Sequence, residues 1–175
     1  GMALNRGQGA LRAWVDIGKG KVSGALADVA LQDVDVQLGR RLQPLAFEAL
    51  AGRIGADQHA QGFALRTEGL RFRMPGGPDW PGGNVTLVQA SDAAGMPLNT
   101  RLQADRLDLA ALARIAGRLP LSPGAQTLLA SLAPQGLVET LDARWQGPLE
   151  APTGFAAKGR VAGLRVAALA APATA

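Results

Sequence analysis

Apolar and polar residues alternate with a period of two along most of this chain, the spacing of a strand that buries one face. In Gly9–Ile17, Leu11, Ala13, Val15 and Ile17 fall on one side, and Arg12, Trp14 and Asp16 on the other. A turn at Gly18-Lys19-Gly20 leads into Lys21–Leu38, where the phase changes: Val29 and Leu31 share one parity, Val34, Val36 and Leu38 the other. A one-residue shift sends every later side chain to the opposite face. The pattern therefore predicts a β-bulge near Gln32-Asp33 that keeps the apolar set together. Leu45–Ile54 behaves alike, with Leu45 and Phe47 in one phase and Leu50 and Ile54 in the other. Phe63 and Leu65 precede Leu70, Phe72 and Met74, which are opposed by Arg71 and Arg73. Met74–Gly83, rich in Pro and Gly, predicts a long surface loop with no regular element.

Asn84–Ala90 predicts a short strand, and Leu98–Ala104 is the most regular of all, with Leu98, Thr100, Leu102 and Ala104 facing away from Asn99, Arg101 and Gln103. From Asp108, a candidate N-cap, the period becomes helical through Leu109, Leu112, Ala113 and Ala116. Pro120 ends that helix, and Ser122-Pro123 starts a second, with Ala125, Leu128, Leu129 and Leu132 as its buried stripe. Strands resume in Leu137–Gln146, where Leu137, Leu141, Ala143 and Trp145 alternate with Val138, Thr140, Asp142 and Arg144. Gly154–Val166, split at Gly163, is the last strand, and the Ala-rich tail frays. The fold class is α+β, mostly β: a curved antiparallel sheet of about seven to nine strands with two short helices inserted before the last strands. One β-rich module is expected over residues 1–175: strands in 9–107, the helical pair in 108–133, and strands in 136–166.

Composition sharpens this. Hydrophobic residues make up 47% of the 175, so a core is expected, but aromatics are only 4% and Tyr is absent. The absence of Cys removes disulfides, thiolate nucleophiles and most structural zinc schemes, and suits either cytoplasm or periplasm. A net charge of +4 comes from scattered Arg, which a solvated sheet face explains; nucleic acid calls for clustered basic residues with stacking aromatics. No run approaches the ~18 apolar residues of a membrane span. The start, Gly1-Met2-Ala3-Leu4-Asn5-Arg6, has no signal-peptide core.

Catalytic chemistry is thin. The one histidine, His59, lies in a polar stretch and reads as a surface residue, so no cofactor and no transition-metal site is expected. Asp33 and Asp35 share a strand face, and Asp105 and Asp108 flank a strand-to-helix junction; a polar outward face and an N-cap suffice for both pairs. Gly18–Gly24 matches neither a phosphate loop nor a dinucleotide fingerprint and reads as a hairpin turn. Asn84-Val85-Thr86 is a glycosylation sequon by letters only. Arg66, Arg71 and Arg73 could attract phosphates or anionic headgroups, although an exposed strand needs no such purpose. Trp80 is expected to fold back as a plug on the sheet rather than to bind a partner.

Two stretches carry a family resemblance. One runs from Leu11-Arg12-Ala13-Trp14-Val15-Asp16-Ile17 through Ala27–Leu31, Val34–Leu38 and Pro44-Leu45 to Leu50-Ala51-Gly52-Arg53-Ile54-Gly55. The other runs from Leu107-Asp108-Leu109 through Leu119-Pro120-Leu121 and Leu132–Gly136 to Ala143-Arg144-Trp145-Gln146-Gly147. In order and spacing they resemble an internal segment of the YhdP family, large AsmA-like proteins of Gram-negative bacteria. The resemblance implies a parent protein anchored in the inner membrane and extending through the periplasm. It also implies long curved sheets with a hydrophobic groove, and a part in phospholipid movement toward the outer membrane and in envelope integrity. It makes this chain a fragment or truncated relative, without the membrane anchor.

Two readings follow. In the first, a non-catalytic segment conveys phospholipid on its apolar sheet face, and Leu11, Val15, Ile17, Val34, Val36, Leu38, Leu70, Phe72, Leu98, Leu102 and Leu141 contact acyl chains. Its partners are phospholipid and neighbouring segments of the parent chain or envelope proteins, with no nucleic acid. In the second, the same face closes into a dry core and the chain is a structural or assembly module. An enzyme acting on envelope lipid or glycan rests on the scattered Asp residues alone.

Overall fold

The structure, a computed structural model, describes residues 3–18, 20–37, 42–77, 79–119, 123–148 and 152–167. Nine strands form one open antiparallel sheet, with two short helices before the last two strands. The strands are β1 (Ala3–Gly18), β2 (Lys21–Gln37), β3 (Leu45–His59), β4 (Gly62–Arg73), β5 (Asp79–Trp80), β6 (Val85–Ser91), β7 (Pro97–Asp108), β8 (Gln135–Gln146) and β9 (Gly154–Arg165). They lie in the order β1-β2-β3-β4-β6-β7-β8-β9, with β5 paired to β4, so nearly every connection is a hairpin between neighbours. That meander is what period-two segments separated by turn residues dictate. Helix α1 (Leu109–Ile115) runs into a 3₁₀ turn at Ala116–Arg118, and α2 is Pro123–Leu132. Asp108 caps α1, its Oδ1 accepting from the Ala111 N–H at 2.9 Å.

Residues opposite one another in an antiparallel ladder project from the same face, so the register assigns every side chain. One row reads Leu11, Val29 and Gly52; another reads Leu65, Leu87, Leu102 and Ala143. The other face carries Asp28, Arg53 and Glu68 in one row, and Arg101 and Arg144 in another. Three phase shifts keep the apolar set together. Gly69, at φ 56°, is an extra residue in β4 opposite the Ala51/Arg53 step, which puts Leu65 and Leu70 on one side despite their opposite parity. Asp33, at φ 49°, lies between the pairs Gln32↔Ala49 and Val34↔Phe47, and the β2–β3 register continues through it unchanged. Both strands therefore change phase together, and Leu31, Val34, Phe47 and Leu50 reach the same core. This is the shift the sequence predicts near Gln32-Asp33.

A matching device was not legible in the sequence. Arg106, at φ 50°, lies between Asp105↔Thr140 and Leu107↔Val138, again with constant register. It turns β7 and β8 together, so Leu107 and Val138 are buried while Leu137 faces outward, 38% exposed. The expected alternation, with Leu137 inward and Val138 outward, is thus reversed at this end of β8.

The core gathers where these shifts converge. Val34, Leu45, Phe47, Phe72, Leu107 and Val138 pack under Ala111 and Ile115 of α1. Trp80 closes the same end, stacked on Phe72 at 5.4 Å, and Phe72 meets Phe47 edge-on at 5.3 Å. Trp80 is thus a plug, as expected, but the segment around it is not purely loop: Asp79 and Trp80 pair with Arg73 and Phe72. Pro120 and Ser122, the expected stop and start of the helices, and the side chains of Ala125 and Leu128, lie outside what is described.

Left-handed backbone at Asp33 makes its substitution pattern opposite to that of an ordinary strand residue. Asp33→Val, favoured by β-propensity, is expected to cost about 1–3 kcal/mol, because a β-branched residue does not tolerate positive φ. Asp33→Gly is expected to be neutral or slightly stabilising. Urea midpoints measure both; a Val variant as stable as the Gly variant contradicts the phase-shift role.

Candidate functional site

The helical cover reaches only one end of the apolar face. The helices leave from the end where β7 stops and β8 starts, and the core lies beneath α1. Toward the opposite end, where β1 stops and β2 starts, large apolar side chains on this face stand in solvent. Leu11 is 59% exposed, Val15 53%, Ile17 71% and Val22 59%, with Leu98 and Phe155 similarly open at the other side of the sheet. Between them lie the less exposed Ile54, Phe63, Leu87 and Leu102. The chain has 11414 Å² of accessible surface. A compact monomer of 18.0 kDa has about 8,000 Å². A sheet not folded back on itself contributes to this excess.

The eleven residues picked from the sequence divide accordingly. Leu11, Val15, Ile17 and Leu98 are exposed on the apolar face; Val36, Leu70, Leu102 and Leu141 are half-buried on it. Val34 and Phe72 correct the expectation of one continuous accessible set: at 2% and 8% exposed they belong to the closed core, shut in by α1 and Trp80. Leu38 lies outside the described residues. Phe155, on the face by its pairing with Trp145, and Val22 were missed. Only the register of β8 with β9, and the bulge at Ser23 between β1 and β2, bring them into line.

The face is not wholly apolar. Thr100 is buried between its partners Gln89 and Trp145, and its hydroxyl is the one buried side-chain polar atom without a hydrogen bond among the described residues. The opposite face carries most of the charge, with Trp14, Leu26 and Val88 also exposed on it. Arg53 bridges three strands, donating from Nε to Asp28 at 2.6 Å and from Nη1 to Glu68 at 3.4 Å. Arg101 grips Asp142 through Nε at 3.1 Å and Nη2 at 2.5 Å, and Arg66 bonds Asp57 at 2.5 Å. These pairs are solvent-exposed, so each contributes little stability, but like a ladder of rungs they fix which face looks outward. The Arg53 hydrogen bond holds the Asp28 carboxyl below its usual range, and the Arg101 hydrogen bond does the same for Asp142.

Among the described residues no three His, Asp or Glu side chains come together as a metal site. His59 is exposed at the β3–β4 turn. Asp105 is spent on Asn84, accepting from its backbone N–H at 2.8 Å and its Nδ2 at 2.9 Å, while Asp108 is the helix cap. No helix among the described residues is long and apolar enough to cross a membrane, which says nothing of a β-barrel.

The fold is an open antiparallel sheet module with one mostly apolar and one mostly charged side and a partial helical lid. The chain belongs to the YhdP protein family, whose model matches residues 2–171, and so to an AsmA-like family of envelope proteins. No curated protein and no solved structure matches the chain.

Both depressed carboxyls contribute stability that is present above the unfolded-state pKa and is lost as pH falls through the lower folded values. The thermal midpoint should therefore decline as pH is lowered from about 5 to about 2.5. In the Asp28→Asn, Asp142→Asn double variant the decline should be shallower, so that the two curves converge in acid. Parallel curves contradict the assignment.

Proposed function

We propose that this chain is a non-catalytic segment of an inner-membrane-anchored periplasmic protein that conveys phospholipid between inner and outer membranes. Acyl chains travel on the uncovered end of the apolar face. The observation that carries the reading is the run of exposed aliphatic and aromatic side chains from Leu11, Val15 and Ile17 across to Leu98 and Phe155. Exposed apolar area of this kind needs an occupant. An acyl chain gains about 0.8 kcal/mol for each CH₂ it buries there. Such a surface needs size and continuity, and no nucleophile, base or metal. Membership in the family supports the envelope setting.

A second reading has its own observation. β1 and β9 lie at the two ends of the strand order, so among the described residues each has an outer edge with no partner strand. Such edges suit strand addition by neighbouring segments of the parent chain or by another envelope protein. The two readings are compatible along the chain, but a purely structural module has no lipid on its face.

Photo-reactive residues at Val15 and Leu98, compared with Arg12 and Arg101 on the charged face, separate them. With labelled phospholipid, crosslinks are expected at Val15 and Leu98 and not at the two arginine positions. Absent or equal labelling contradicts a lipid path on this face.

A further inference from the structure

We infer that the charged face holds a separate binding site for a phosphate group, formed by Arg71 and Arg106 beside the Gly82-Gly83 segment. A depression of about 640 Å³ is lined by these four residues, with Asn84, Asp105 and Glu139 also on its wall. Its floor is held by hydrogen bonds. The Gly69 N–H donates to Asn84 Oδ1 at 2.9 Å, Asn84 donates twice to Asp105, and the Leu70 N–H donates to the Gly83 carbonyl at 3.1 Å. The segment lies so close to β7 that a Cβ at Gly83 would come within 2.7 Å of the Asp105 carbonyl oxygen.

Over this rigid floor stand two guanidinium groups that form no ion pair and no side-chain hydrogen bond among the described residues, whereas Arg53, Arg66 and Arg101 on the same face are all paired. Of the carboxylates on the wall, Glu139 is paired with Arg160 at 3.7 Å, while Asp105 keeps its negative charge with both oxygens accepting from Asn84. Arg106 also occupies the left-handed region, where glycine would be the easier choice, so the phase shift alone does not account for an arginine there. Two free guanidinium groups beside glycine amides suit a tetrahedral oxyanion, which guanidinium binds through paired N–H donors. The phosphate could be free or part of a lipid headgroup. The site lies on the opposite face from the proposed acyl path and does not rest on it.

Amide NMR of the whole chain titrated with inorganic phosphate tests the site. Saturable shifts are expected at Gly82 and Gly83, weakened about tenfold or more by Arg71→Gln and by Arg106→Gly, and unchanged by Arg12→Gln. Arg106→Gly keeps a residue suited to positive φ, so weaker binding with retained thermal stability isolates the lost charge. Phosphatidylglycerol vesicles that displace the phosphate would assign the site to a lipid headgroup; failure to displace it would assign it to free phosphate. Absence of saturable shifts, or wild-type affinity retained in both variants, overturns the site.

Discussion

An antiparallel meander with one apolar face has to cover that face, and this chain has little to cover it with. One short helix, α1, and one tryptophan shield the end where Val34, Phe47, Phe72, Leu107 and Val138 meet. Everything else follows from that shortage. The core is small, the sheet stays open, and the remaining apolar side chains stand in water unless something else occupies them.

The covered end depends on two strand pairs changing phase in concert. Asp33 turns β2 and β3, and Arg106 turns β7 and β8, each at positive φ and each without loss of register. Without them Val34 and Phe47 on one side, and Leu107 and Val138 on the other, would point away from the helices. The same turns leave the far end of the face beyond the reach of α1. On the back, Arg53 and Arg101 tie strands together through Asp28, Glu68 and Asp142, which sets the outward face without adding much stability.

Much of this could be read from the residues. Period two located the long strands, the parity change at Val29–Val34 located the first phase shift, and Asp108 marked the helix start. The second shift escaped because Arg106 sits where period two gives way to helical spacing, so a parity change there is indistinguishable from the end of a strand. Leu137 and Val138 were consequently assigned to the wrong sides. Strand β5 escaped because two residues carry no periodicity. No local signal separates Val34 and Phe72 from Leu11 and Val15: all are apolar strand residues of one face, and only the placement of α1 and Trp80 makes the first pair core and the second pair surface. The grouping of Arg71 and Arg106 likewise depends on the pairing of distant strands.

The central claim is that the uncovered end of the apolar face is a lipid surface. Native mass spectrometry of the chain purified from a Gram-negative host and released from mild detergent tests it most directly. Bound phospholipid is expected on the wild type and should be lost when Val15 and Leu98 are both changed to Asp, two exposed positions where the substitution leaves the closed core intact. A lipid-free wild type, or lipid retained equally by the double variant, would contradict it.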